Sequence, residues 1–380
     1  MKRMNLAALA GTLLFGLVLG GATLVTDVRA AGKEKAPAEK PAAAPQQGEE
    51  RSLAEAASEL KAAAEPSTER AVQRGLTWLA AQQSQDGSWS ARGGQYPAAM
   101  TALAGMALLG EGSTTAQGKY AANVRRAVDY LVGRSQPDGL IGDPKKDMRY
   151  TYGHGFSMLF LSQVLKHEQD AQRRAKLTDV LTRAVAFTGK AQTTAGGWGY
   201  VSAKDGADFD EGSTTVTQVQ GLGACRGAGI PVPKQVLDRA IDYLRKCTLP
   251  DGGLKYSLRM KGGGGRPAIT AAGVACLDST GHRDAEYRAK LLGYCKNTLA
   301  AGDGQTQGHW HYANLYFAQD LYRDGGQTWQ DYRRKVYAQL VAKAAADGSW
   351  SQGFIGPVYT TAVNLTILQL EKGAVPIYRR

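Results

Sequence analysis

Asp208-Phe209-Asp210-Glu211 places three carboxylates within four residues, just ahead of an apolar run. Clustered carboxylates raise one another's pKa, so one of them can hold a proton near neutral pH and act as a general acid. The same acids would also suit a helix N-terminus, capping it and offsetting its dipole. Two histidine-bearing stretches open other apolar runs. One is Tyr150-Thr151-Tyr152-Gly153-His154-Gly155-Phe156 and the other is Gly308-His309-Trp310-His311-Tyr312. His309 and His311 together with Asp208 or Asp210 have the donor types of a metal site. A metal-free polar rim is the expectation, with no metal and no cofactor. A fourth stretch is basic and glycine-rich, with Lys255, Arg259, Lys261, Gly262 to Gly265 and Arg266. Flexible backbone carrying Arg and Lys beside a helix N-terminus suits a phosphate or carboxylate. No Gly-Lys-Ser/Thr follows, so it is not a P-loop, and a surface loop is the plainer reading.

These residues are placed by a repeat. Gln85-Asp86-Gly87-Ser88-Trp89 returns as Asp347-Gly348-Ser349-Trp350, with weaker echoes at Asp138-Gly139-Leu140, Gly196-Gly197-Trp198, Asp251-Gly252-Gly253-Leu254 and Gly308-His309-Trp310. Upstream, Arg70-Ala71-Val72 recurs as Arg126-Ala127-Val128, Arg183-Ala184-Val185, Arg239-Ala240-Ile241, Arg288-Ala289-Lys290 and a degenerate Arg334-Lys335-Val336. Each opens a helix-period run that Gly or Asp-Gly ends. The runs after the turns are Ala98–Leu109, Gly155–Leu165, Thr214–Ala228, Pro267–Leu277, Tyr312–Tyr322 and Val358–Leu370. They are rich in Ala, Gly, Ser and Thr and poor in charge, which marks helices buried all round. Six hairpins, each with one wet and one dry helix, predict an all-α (α/α)6 toroid, with a superhelical solenoid as the alternative. Asp and Gly suit the turns, and Trp can cover a neighbouring helix end, so the turn motifs read as structural.

The turns Gln85-Asp86-Gly87-Ser88-Trp89, Gly197-Trp198 and Asp347-Gly348-Ser349-Trp350 resemble the prenyltransferase/squalene-cyclase repeat. The resemblance covers about residues 70–380. It implies a toroid with a central cavity entered at the inner-helix N-termini, and a place among terpenoid cyclases and protein prenyltransferase β subunits. The chain looks most like exported single-toroid bacterial members. Asp208-Phe209-Asp210-Glu211 is similar to the Asp-x-Asp-Asp acid motif of class II cyclases. Carried over, Asp210 is the proton donor and Asp208 and Glu211 are its neighbours. Glu stands for the last Asp, and Gly212-Ser213-Thr214 replaces the usual Thr-Ala. Zinc-dependent prenyltransferases hold metal with an Asp-x-Cys pair and a His. No Asp-x-Cys occurs here, nor a Cys-Gly-Glu-Gln thioester. Within this frame Tyr152, His154, Trp198, His309, His311 and Tyr312 are candidate ligand contacts at the cavity mouth. Arg259, Lys261 and Arg266 are candidate contacts for an anionic group on its rim.

The start of the chain has the pattern of a secretory signal over residues 1–30: Lys2 and Arg3, an apolar Leu6–Val25, then Val28-Arg29-Ala30. An uncleaved anchor is the alternative, and it would be the only membrane attachment expected. Residues 31–66 read as an Ala/Pro/Glu/Lys linker without the apolar content to fold, and 67–380 as the toroid. The net charge of +12 favours anionic partners, but no run of five basic residues appears, so nucleic acid is not expected. Cys225, Cys247, Cys276 and Cys295 fall on neighbouring repeats, a helix spacing apart, and are expected as buried thiols. Two functions follow. One is a cyclase- or transferase-like activity on an isoprenoid or other apolar ligand by an exported monomer. The other is a non-catalytic binding or scaffold toroid for a lipid, polysaccharide or protein. A polysaccharide-active enzyme is a third, marked by paired carboxylates across a cleft.

Overall fold

Among the described residues, helices α1 (67–81), α3 (Ala121–Gly133), α5 (Ala171–Ala191), α7 (Lys234–Cys247), α9 (Ala285–Leu299) and α11 (Gly326–Lys343) alternate with α2 (Pro97–Glu111), α4 (Tyr150–His167), α6 (Gly212–Gly227), α8 (Pro267–Ser279), α10 (Trp310–Asp324) and α12 (Pro357–Leu368). The computed structural model describes residues 67–206, 208–299 and 309–379. All of them belong to one compact unit, 55–380. The leader and linker expected over 1–66 lie outside the described residues.

The even-numbered helices form the inner ring. Each packs on the next, and α12 packs back on α2, so the ring closes and the open solenoid is excluded. Their sequences explain their place. In α6, thirteen consecutive or near-consecutive residues from Gly212 to Cys225 are buried, and in α12 all of Val358–Leu368 are. Small residues let these helices approach closely. A Cβ on Gly155 would lie 2.8 Å from the Thr217 backbone, and one on Gly221 would lie 2.8 Å from the Gly155 carbonyl. The odd-numbered helices are amphipathic. In α7, Leu237, Ala240, Ile241, Leu244 and Cys247 face inward, and the charged residues face water.

The Asp-Gly-Ser-Trp turns are the joints. Trp89, Trp198 and Trp350 are fully buried. Each indole N–H donates to a carbonyl ten residues back, in the last turn or so of its own outer helix: Leu79, Thr188 and Leu340. Each indole thus gives a helix-end carbonyl a donor, and the Leu79 carbonyl also accepts from the Gln82 amide at 3.1 Å. Each Trp backbone N–H donates to a threonine on the following inner helix, Thr101, Thr215 or Thr361. The tryptophan therefore ties the two helices of its own hairpin, and the Trp350 ring also packs on Gly75 of the next outer helix, α1.

The turn glycine makes the contact between hairpins. Gly87 lies against the backbone of Arg126, Gly139 against Arg183, Gly196 against Arg239, Gly252 against Lys290, and Gly348 against Arg74. The last contact joins the sixth hairpin to the first. It also corrects the register of the repeated arginine. The structural partner in the first hairpin is Arg74, one helical turn beyond Arg70, and in the fifth it is Lys290, not Arg288. Arg74, Arg183 and Arg239 each donate to a carbonyl of the turn seated on them.

All four cysteines are free and buried, as the helix spacing predicted. At the C-terminal end of the ring the final segment crosses the opening. The Ile377 amide donates to Gln163, Arg323 donates to the Ile377 carbonyl, and Tyr378 is buried.

Candidate functional site

The acidic cluster stands at the N-terminus of α6, and its three carboxylates go separate ways. Glu211 is the N-cap. Its carboxylate accepts from the Ser213 and Thr214 amides at 2.9 and 2.7 Å and from both hydroxyls. Asp208 sits at a positive φ of 50°. It accepts from the Thr194 amide and hydroxyl and pairs with Arg259 at 2.6 Å. The Thr194 hydrogen bonds hold its carboxyl below the ordinary aspartate range. Asp210 is fully buried. Its Oδ2 accepts from the Tyr243 hydroxyl of α7 at 2.8 Å and from the Leu258 amide at 2.7 Å. Its Oδ1 has no hydrogen-bond partner, and Arg259 Nε lies 4.0 Å away. Asp208 and Asp210 are thus bridged by Arg259 and do not face each other across a cleft.

Aromatic residues gather over the same helix end. Tyr152 from α4 shares a hydrogen bond with the Ser213 hydroxyl, and Tyr312 from α10 donates to the Ser213 carbonyl at 2.9 Å. Tyr200 and Tyr256 come from the connections into α6 and α8, and their hydroxyls meet at 2.5 Å. The Tyr152 and Tyr200 rings are 5.9 Å apart, and the Arg149 guanidinium lies 4.4 Å over the Tyr200 ring. All four tyrosines are half-buried. Burial, reinforced by the Glu211 charge, raises Tyr152, Tyr200 and Tyr256, so they remain neutral phenols.

The backbone explains the convergence. The Tyr200 carbonyl accepts from the Thr151 amide, and the Tyr256 carbonyl accepts from the Gly212 amide. Each connection therefore satisfies the first turn of the preceding inner helix and leaves its tyrosine beside that helix end. Tyr200, Tyr256, Ser213 and Arg149 were not among the residues singled out from sequence. The available signal was a tyrosine two residues beyond the turn's last apolar position in both Trp198-Gly199-Tyr200 and Leu254-Lys255-Tyr256.

The other sequence candidates spread out. His154 lies inside α4 and is fully buried. Its Nδ1 accepts from the Ile141 amide at 3.0 Å, the position threonine holds in other hairpins, and its Nε2 meets Thr188 at 2.9 Å and the Ala184 carbonyl. An Nδ1 that accepts leaves the proton on Nε2, and burial lowers the imidazole to about 4. Trp198 has both N–H groups engaged within its own hairpin. His154 and Trp198 are therefore joint residues away from the tyrosine mouth. His309 is exposed, with its ring 6.0 Å from Phe354. His311 is half-buried, bonded to Asn364 at 3.1 Å and lowered by burial. Lys261 and Arg266 are exposed on the loop entering α8, next to Arg259. Among the described residues no three His, Cys, Asp or Glu side chains gather to hold a metal ion.

Below the mouth the ring is cross-braced. Gln220 of α6 donates to Gln319 of α10 at 3.2 Å, two places round the ring. Two small clefts, one lined by Met106, Gln369 and Tyr378 and one by Tyr130, Arg134 and Asp147, lie elsewhere and each offer about 10 Å³ of free volume, enough for about one water.

No family model matches the chain. Over 212 residues it is 29% identical to drimenyl diphosphate synthase from Streptomyces showdoensis, covering 55% of this chain and 36% of that protein. The chain therefore spans well under two thirds of that relative's length. Among solved structures it is similar to a type II terpene cyclase from Scytonema in complex with its product merosterolic acid A, with a TM-score of 0.56 and 15% identity. That likeness covers 82% of this chain and 98% of the other. It is similar to the same degree to an α-1,6-mannanase from Salegentibacter sp. HEL1_6, with a TM-score of 0.56, 9% identity and coverage of 82% and 99%. The chain has the all-α toroid fold that these solved structures share. The mannanase likeness shows that this fold alone does not choose a chemistry.

Proposed function

We propose that the protein is a terpenoid-cyclase-like enzyme that takes an isoprenoid-like chain at the tyrosine-lined mouth and protonates it from Asp210. The observation that carries the reading is the convergence of Tyr152, Tyr200, Tyr256 and Tyr312 on the helix end that follows the acid. Ring faces suit an apolar chain and stabilise positive charge above them. Neutral phenols do so without quenching a carbocation as phenolates would. In the step, Asp210, which packs toward α7 and has to turn its Oδ1 toward the mouth, gives a proton to an alkene carbon. The π pair becomes the new C–H bond, a cation forms at the neighbouring carbon, and the carboxylate left behind is held by Tyr243 and the Leu258 amide. The orphaned Oδ1 supports this assignment, and the 29% identity to drimenyl diphosphate synthase supports the choice of an isoprenoid-like substrate.

A second reading has its own observation. Asp210 is bonded to outer helix α7 and to the Leu258 loop, and Gln220 and Gln319 span the ring. That is the arrangement of a non-catalytic toroid in which Asp210 braces a loop. The test is incubation of the full chain with farnesyl diphosphate, geranylgeranyl diphosphate and squalene, with product analysis by mass spectrometry. Cyclic product from the native chain, lost at least ~100-fold in Asp210→Asn with its melting temperature kept, is the expected result. No product and no ligand-induced thermal shift from any of the three, with Asp210→Asn markedly less stable, would replace the enzyme with the brace.

A further inference from the structure

Four large apolar side chains stand out of the described surface, and all four lie at one end of the ring. Met148 is 88% exposed, Phe354 65%, Met260 47% and Phe209 40%. Each sits in the second half of a connection from an outer helix to an inner one, just before α4, α12, α8 and α6 respectively. In a ring of alternating helices these connections share one end, the end of the tyrosine mouth. Single exposed apolar residues are ordinary, but their confinement to one face is the mark of an interaction surface.

The neighbours of these tips are cations. Lys145, Lys146 and Arg149 bracket Met148, Arg259 and Lys261 flank Met260, and all are exposed. Arg92 stands beside the Phe354 loop, its amide donating to the Ile355 carbonyl at 3.0 Å. The acids of this end are placed differently. Asp86, Asp138, Asp251 and Asp347 are exposed, but they belong to the turns, whose glycines are seated on the outer helices. Asp147 is buried, Asp205 accepts from Tyr150, and Asp208 is paired with Arg259. The projecting tips at Met148 and Met260 therefore set apolar groups beside the exposed Lys145, Lys146 and Lys261, while Arg259 is engaged by Asp208.

We propose that this end of the toroid docks on an anionic lipid surface, with Met148, Phe209, Met260 and Phe354 entering the head-group layer and the adjacent lysines and arginines on the phosphates. Apolar insertion and electrostatic attraction to anionic lipid add in such binding. Among the described residues no helix is long and apolar enough to cross a bilayer, so the contact is interfacial. The inference does not depend on Asp210 or on catalysis.

The test uses the full chain with one environment-sensitive fluorophore on a cysteine, the native thiols being buried. Met148→Cys and Phe354→Cys report the proposed face, and Ala116→Cys in the α2–α3 connection reports the opposite end. Vesicles of phosphatidylcholine with about 30% phosphatidylglycerol should blue-shift the label at 148 and 354 and expose it to brominated-lipid quenching, with no change at 116. Lys145→Glu/Lys146→Glu/Lys261→Glu should raise the lipid needed for half-response by at least ~10-fold at low salt, and less at high salt. The N-terminal apolar stretch can hold the chain on vesicles, but it does not bring positions 148 and 354 selectively into lipid. Equal quenching at 116, no response at 148 and 354, or the same response on pure phosphatidylcholine each overturns the proposal. So does a response to an anionic polysaccharide with none to vesicles.

Discussion

Gly348→Ala tests whether the ring is closed by the same joint that links its interior hairpins. Gly348 has a φ of 92°, and an added Cβ would lie 2.6 Å from both the carbonyl carbon and the oxygen of Arg74. The left-handed backbone costs an alanine about 1–2 kcal/mol. Pressing a methyl onto a fixed backbone adds about 1–3 kcal/mol, the usual range for overpacking. The expected total is about 2–5 kcal/mol. Gly262→Ala separates the two contributions, because Gly262 has a similar φ of 75° and nothing within 4 Å of its Cβ position. It should lose only the backbone part. Gly139→Ala, whose Cβ would meet the Arg183 carbonyl at 2.1 Å, measures the same joint inside the ring. Urea unfolding followed by circular dichroism gives the three values. Gly348→Ala and Gly139→Ala should be similar, and both should exceed Gly262→Ala by at least ~1 kcal/mol. If Gly348→Ala is no worse than Gly262→Ala, the sixth turn is not seated on the first outer helix and the closure argument is wrong.

Other perturbations probe single residues. Trp198→Phe should cost about 1–3 kcal/mol, since it leaves the Thr188 carbonyl buried without its donor, and should leave affinity for any ligand of the mouth unchanged; a changed affinity at unchanged stability would return Trp198 to the ligand site. His154 is held neutral, lowered to about 4 from an ordinary 6.5. Between those values the unfolded chain binds the proton and the folded chain does not, so stability falls as pH drops from about 6.5 toward 4, by up to about 3 kcal/mol, and is flat above. His154→Gln should flatten that slope in unfolding measurements across pH 4–7, and an unchanged slope would mean that His154 is not its source. Asp320 on α10 is fully buried with neither carboxyl oxygen hydrogen-bonded, and burial raises it well above the ordinary aspartate range. Above about pH 4 the unfolded chain releases this proton more readily than the folded one, so the native residue destabilises increasingly as pH rises. Asp320→Asn should therefore be more stable than the native chain at pH 7, with a gain that shrinks toward pH 4, and a loss of stability at pH 7 would show an unseen partner for the carboxylate.

The sequence alone determined the repeat, and with it the toroid. Asp86-Gly87-Ser88-Trp89 and Asp347-Gly348-Ser349-Trp350 are legible because a tight turn, a left-handed glycine and a large side chain that needs a hydrogen bond are each demanded locally. The dry inner helices are legible because burial on every side excludes charge over their whole length. The same local logic predicts a helix cap among the three acids, without saying that it is Glu211, and the cysteines as buried thiols. Tertiary structure decided the rest. Arg74 rather than Arg70 receives the sixth turn, because the partner lies on a helix some 270 residues away and one helical turn of register is invisible to a pattern match. His154 has the residue type of a ligand contact, but it fills the threonine's place in a hairpin whose turn carries Ile141 where three others carry Trp and the fourth hairpin carries Leu254. Asp210 and Glu211 are adjacent in sequence and part in space, since the extended backbone at Glu211 turns successive side chains to opposite sides. One faces α7, and the other lies beneath the tyrosines. Which of two neighbouring carboxylates meets which partner is settled by the packing of helices far apart in the chain, and no spacing within Asp208-Phe209-Asp210-Glu211 encodes it.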